Sequence, residues 1–280
     1  MRLADPVHVR SWRAELALGY ERRGERTVLA SRRHDGPLVV QKPLYPEGDA
    51  VCHTILVHPP GGVAGGDELV VDVKANAGAH VLLTTPAAAK WYRTAGPEAS
   101  QHAAIRVGAG ACVEWLPQEA ILYDGSRTRI DTRIELAAAA AFIGWDIMCL
   151  GRVAHGERYA KGECRLLMRI AREGRLLWSE RGVIAAGGLF ASSPVGLGGR
   201  TVFGTLLAAA PSLPPDLVRL CRSVAAREGM TAVTQPPGVL VVRYLGHSSE
   251  AARDFFQRVW QHVRPALCDR AAAAPRIWST

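Results

Sequence analysis

The sequence predicts a mainly β protein with a helical C-terminal region, and three observations lead there. From Trp12 to about Phe203, short runs rich in Val, Ile, Leu and Thr are separated by Gly, Pro and Asn, the texture of strands and turns. Helical periodicity is scarce over that stretch. After Gly204 it appears, in two segments flanking an apolar run. The expected organisation is a β-rich body over residues 1–203 and a helix-strand-helix region over 204–280, packed on the same domain.

Taken in order, the first candidate strands are 28–30, 38–40 and 54–57. Residues 68–74 alternate apolar and polar in their second half, and 80–85 stop against Pro86, which has no N–H to extend a ladder. Candidates at 103–107, 112–116, 120–123 and 129–136 follow. Runs 165–170 and 176–180 flank Glu173-Gly174, a turn pair suited to a hairpin. Many short strands suit a two-sheet sandwich or a solenoid-like β-helix; no fixed-period repeat is legible, so periodicity does not choose between them. In the last third, Pro214-Pro215-Asp216 opens an apolar-periodic helix over 217–227, closed by Gly229. Pro236-Pro237-Gly238 turns into a buried strand over 239–245. Ser248 or Ser249 caps a final helix through Leu267, with Phe255, Phe256, Val259 and Val263 at helical spacings. Residues 271–280 read as a tail.

At 280 residues and 48% hydrophobic, the chain can bury a large core, and it is too apolar to be disordered. Its net charge of +8 is almost all arginine, because lysine occurs only at Lys42, Lys74, Lys90 and Lys161. Glu15, Glu21 and Glu25 interleave with Arg13, Arg22, Arg23 and Arg26, so no concentrated basic face points to nucleic acid. Such a surface suits acidic protein partners. Residues 136–150 are interrupted by Asp146 and fall short of the ~20 apolar residues a membrane helix needs. Met1 to Trp12 lacks the apolar core of a signal peptide, which points to the cytoplasm. Cys52, Cys112, Cys149, Cys164, Cys221 and Cys268 lie far apart with no C-x-x-C pair, and they read as buried thiols rather than a metal cluster. His53 and His58, at odd spacing across a strand, should face opposite sides.

Several rigid segments present acids. The loop from His58 to Asp67 holds two prolines and four glycines, so Asp67 ends a stiff corner. It lacks the Gly-Lys-Ser/Thr of a phosphate loop. Thr84-Thr85-Pro86 ends a strand and leaves Lys90, Trp91, Tyr92 and Arg93 in a loop. Gly144-Trp145-Asp146 puts a carboxylate inside an apolar run, where it needs a cation, a metal or hydrogen-bond donors nearby. Arg152 with Glu157, and Glu180 with Arg181, suit internal ion pairs. No H-E-x-x-H, no G-x-S-x-G and no close nucleophile-base pair occurs, so the usual marks of an enzyme are missing.

Taken together, Asp35-Gly36-Pro37 to Lys42, Tyr45-Pro46-Glu47-Gly48, His58-Pro59-Pro60-Gly61-Gly62 with Gly65-Gly66-Asp67, Thr84-Thr85-Pro86, Lys90-Trp91-Tyr92-Arg93, Leu116-Pro117-Gln118-Glu119 and Gly151-Arg152 closely resemble the urease accessory protein UreD family, also called UreH. The family pattern near Thr85 tends toward Pro-Gly-Ala, where this chain has Pro86-Ala87-Ala88. The resemblance implies a β-helix-like body with two C-terminal helices and a non-enzymatic role in maturing the nickel site of urease. It also implies three partners: urease apoenzyme, UreF, and the GTPase UreG joined through UreF. No tightly bound cofactor is expected, only transient Ni²⁺. Isolated carboxylates and water release nickel more readily than imidazole-thiolate clusters do. Asp67, Asp146 and Glu180, with Glu68, Glu157 and Thr84 behind them, are the candidates for a nickel path. The alternatives are a passive bridging scaffold, or a β-helix carbohydrate hydrolase using Asp146 with Glu157 or Glu180.

Overall fold

The computed structural model describes residues 11–279; residues 1–10 and 280 lie outside it. Among the described residues, seventeen strands form two sheets. The first holds β1 (Arg13–Arg23), β2 (Arg26–Asp35), β5 (Glu68–Ala75), β8 (Ala99–Val107), β11 (Arg127–Leu136), β13 (Glu163–Arg172) and β14 (Arg175–Ala185), in the order β14-β13-β11-β8-β5-β1-β2. The second holds β3 (Val39–Val40), β4 (Val51–Val57), β6 (His80–Thr84), β9 (Cys112–Trp115), β12 (Ala141–Leu150), β15 (Val202–Ala209), β16 (Met230–Thr234) and β17 (Leu240–Gly246), ordered β16-β17-β15-β12-β9-β6-β4-β3. Two short strands, β7 (Ala89–Trp91) and β10 (Ala120–Leu122), pair alongside β12.

Parallel ladders decide between sandwich and solenoid. Strands β1, β5, β8, β11 and β13 run parallel in one sheet, and β4, β6, β9 and β12 run parallel in the other. The chain therefore visits the sheets alternately and winds a β-solenoid of about four turns. A corner recurs on each turn: Ala79 N donates to Asn76 O at 3.1 Å, Ala111 N to Gly108 O at 3.0 Å, and Ala140 N to Ala137 O at 3.1 Å. His80, Cys112 and Ala141 follow these corners and lie side by side in register. The repeat escapes the sequence because its corners are, Asn76 aside, plain Ala and Gly and its spacing drifts from 32 to 29 residues.

Apolar side chains fill the space between the sheets, among them Val71, Ile105, Leu83, Trp115 and Phe142. The outer face of the second sheet is covered by α3 (Ser249–Cys268), which lays Phe256, Val259 and Trp260 on Leu82, Trp145 and Ile147. β12 is thus packed on both sides, which explains its near-continuous apolar sequence. Ser248 caps α3 by accepting from Ala251 N at 3.0 Å. The outer face of the first sheet is charged; Arg13 meets Glu68 at 2.6 Å and Arg106 meets Asp72 at 2.8 Å.

Four expectations change. The helix expected over 217–227 is α2 (Leu217–Ser223), because Val224 is already extended; α1 (Leu189–Ser192) is a single turn before it. Lys90 and Trp91 belong to β7, and Trp91 is buried. β1, absent from the sequence expectations, buries Ala14, Leu16, Leu18 and Tyr20 on alternate positions. The expected tail is docked: the Trp278 ring sits 5.6 Å from Trp145 and 5.8 Å from Trp260, and its Nε1 donates to Thr84 Oγ1 at 2.8 Å. Among the described residues no helix is long and apolar enough to cross a membrane.

Candidate functional site

Side-chain alternation along β12 places Asp146 on the inner face. Ile143, Trp145, Ile147 and Cys149 point toward α3, whereas Phe142, Met148 and Leu150 point between the sheets, and Asp146 shares their parity. Two partly open pockets, of about 210 and 390 Å³, share a wall there. Ile130, Asp146 and Met148 are wall residues of both. The smaller cavity extends toward His58 and the Gly61-Gly62 corner, the larger toward Glu180, Arg181 and Phe190.

Cross-strand register sets the neighbours of Asp146. It is paired with Thr205 on β15, and Thr205 is paired with Arg243 on β17. Arg243 Nη1 donates to Glu180 Oε1 at 2.6 Å and to Thr205 Oγ1 at 3.1 Å. Both bonds come from one guanidinium nitrogen, which turns Arg243 toward Glu180 and Thr205. Burial, then the nearby charge of Glu180, push the Asp146 carboxyl up to about 7. The expected cation or donors beside Asp146 are not what the fold supplies: among the described residues none hydrogen bonds to its carboxylate, and protonation near neutrality takes their place. A carboxyl poised there can exchange its proton for a cation in water-sized space.

The other candidates are engaged elsewhere. Asp67 accepts from Trp12 N and Ala64 N, each at 2.9 Å, and so closes its own corner. The corner itself needs glycine: Gly61 has φ of +74°, and a Cβ on Gly62 would strike the Tyr92 ring. Glu68 pairs with Arg13, and Glu157 pairs with Arg152 at 2.6 Å while accepting from Asp124 N. Thr84 donates to Leu116 O at 2.6 Å and receives Trp278. Of the candidates, only Asp146 and Glu180 are cavity walls, and they share the larger one. His58 lines the smaller cavity, and burial pushes its imidazole down, partly opposed by Asp67.

A second polar cluster lies under α3, and sequence reading missed it. Arg264, fully buried, donates from Nε to Glu114 Oε1 at 3.0 Å and from Nη1 to Glu47 Oε2 at 2.6 Å. Glu114 also accepts from Trp260 Nε1 at 2.7 Å and lies 2.8 Å from His80 Nε2; Glu47 lies 2.5 Å from His53 Nε2. Burial alone would raise Glu47, but hydrogen bonds from His53 and Arg264 outweigh it and hold the carboxyl at about 2. Beside this network, one ring nitrogen of His80 and the sulfurs of Cys112 and Cys268 lie within 4.8 Å of one another. The expectation of scattered thiols without a Cys/His cluster is thus corrected, because solenoid stacking and the end of α3 gather residues far apart in sequence. Glu114, inside the apolar run 112–116, was the available signal.

The model of the UreD urease accessory protein family matches residues 13–279. A urease accessory protein UreD of Dechloromonas aromatica is 52% identical over 285 residues, covering 99% of this chain and 98% of that relative. One from an Azoarcus species is 54% identical over 269 residues, covering 96% and 94%. One from Methylobacillus flagellatus is 50% identical over 270 residues, covering 96% and 95%.

Proposed function

Because the chain belongs to the UreD family of urease accessory proteins, with a role in urease maturation, we propose that it is a scaffold passing nickel toward the urease active site. One observation carries the reading: Asp146 stands unpaired in the wall shared by two pockets, with its carboxyl pushed up to about 7. A carboxylate there takes a divalent cation by releasing a proton, yet holds it weakly enough to let it go. Glu180, steered by Arg243 at the larger cavity, is the next station. Asp67, Glu68 and Glu157 are held by their own bonds away from both pockets and do not ligate the ion. The partners are urease apoenzyme and UreF, with the GTPase UreG joined through UreF; the chain has no phosphate loop of its own.

The test is co-expression with the urease subunits and accessory proteins. Asp146→Ala should lower the nickel content of purified urease severalfold while co-purification of this chain with urease is unchanged. Full nickel loading with normal assembly would remove the passage and leave a bridging scaffold. That second reading draws on the internal bonding of Asp67, Glu68, Glu157 and Glu180.

A further inference from the structure

We propose that His80, Cys112 and Cys268 form a separate binding site for one thiophilic divalent cation of the zinc or nickel class, outside the two pockets that share Asp146 in their wall. The inference does not depend on the nickel passage. His80 and Cys112 are register partners at the starts of β6 and β9, so their side chains leave the same outer face one strand apart. Cys268 is the last residue of α3 and comes down on them from above. Ligating atoms within 4.8 Å need to close by only about 1 Å to reach the edges of a tetrahedral Cys₂His site, with metal–sulfur bonds of about 2.3 Å.

Two further features separate this cluster from ordinary buried thiols. Glu114 accepts from Arg264 and Trp260 and is acceptor-only as a carboxylate, so His80 Nε2 carries the proton that bridges to it. That arrangement leaves the Nδ1 lone pair to a cation and makes Glu114 the outer carboxylate of a carboxylate-histidine-metal array. Arg264 lies one turn before Cys268, so its bonds to Glu47 and Glu114 also fix the end of the helix. The second feature is access: a cavity of about 620 Å³ has His80, Cys112 and Cys268 in its wall. Three protein ligands with a fourth position facing that cavity suit an exchangeable ion rather than a closed structural one. Arg22 and Arg270 also line the cavity. They repel a bare cation, but two thiolates cancel the charge of the bound ion, and the two thiol protons leave to solvent.

The probe is Co²⁺, followed by competition with Zn²⁺ and Ni²⁺, on the reduced full chain. One equivalent should bind with a near-ultraviolet thiolate-to-cobalt charge-transfer band. Cys268→Ser, at a partly exposed helix end, should at least halve that band and lose more than about tenfold in affinity. Cys221→Ala should keep both. The site is overturned if Cys268→Ser binds as tightly as the parent with the same band. Cobalt bound without the band, or a Cys112–Cys268 disulfide that persists in reduced glutathione, would overturn it as well. Failure of Asp146→Ala to change urease nickel content leaves this site untouched, so the two ideas fail separately.

Discussion

The two faces of the ten-stranded sheet bury carboxylates in opposite ways. On the outer face, Glu114 and Glu47 share one guanidinium, two imidazoles and an indole N–H, with Arg264 and Trp260 supplied by α3 and His53 and His80 by the sheet. On the inner face, Asp146 sits beside a guanidinium already committed to Glu180 and is held near neutrality. The outer arrangement is a lock between sheet and helix. The inner one leaves a group able to change its charge. A buried acid whose bonds are complete reports on assembly of the fold, and one whose bonds are incomplete reports on chemistry.

The largest expected effect breaks the outer face. Arg264→Ala leaves Glu47 and Glu114 buried without their cation and should cost about 3–5 kcal/mol in urea denaturation. A loss below about 1 kcal/mol would mean that both carboxylates are hydrated in solution. The inner face should respond with the opposite sign. The folded carboxyl of Asp146, at about 7, lies above its unfolded value of 3.8, so its contribution is full below that lower value and fades as pH rises through 7. Asp146→Asn should therefore gain stability relative to the parent as pH climbs, by at most about 4 kcal/mol. Parallel stability profiles for the two proteins between pH 4 and 8 would end the contrast between the faces. The smallest effect tests what holds the covering helix. Ser248→Ala removes its N-cap and should cost about 1 kcal/mol in thermal or urea unfolding, well short of the Arg264 change. A larger loss would move the anchor from the ionic lock to the cap.

Local pattern made part of this legible. The hairpin around Glu173-Gly174 forms as expected, with both turn residues at positive φ. β5 and β6 lie where alternation and Pro86 placed them. β1 alternates as clearly, but the charges at Arg13, Glu15, Glu21, Arg22 and Arg23 give the same stretch the look of a solvated surface. Trp278 looked like part of a tail because nothing near it in sequence shows that Trp145 and Trp260 wait for it. Asp146 stood out as an acid in an apolar run. That it would lack a donor could not be read, because Arg243 could have turned to it instead of to Glu180.

By itself the sequence determined the β class, the capped final helix, the family and the oddness of Asp146, all of which rest on patterns within a few residues or on motifs in fixed order. The β-helix-like body that the family resemblance implies is the solenoid observed; only the tertiary structure decided which strands stack in it, which acids are paired, and that His80, Cys112 and Cys268 meet. The reason is distance along the chain. Glu114 and Arg264 are separated by 150 residues, and their contact exists only after the solenoid turns have stacked and α3 has docked across them.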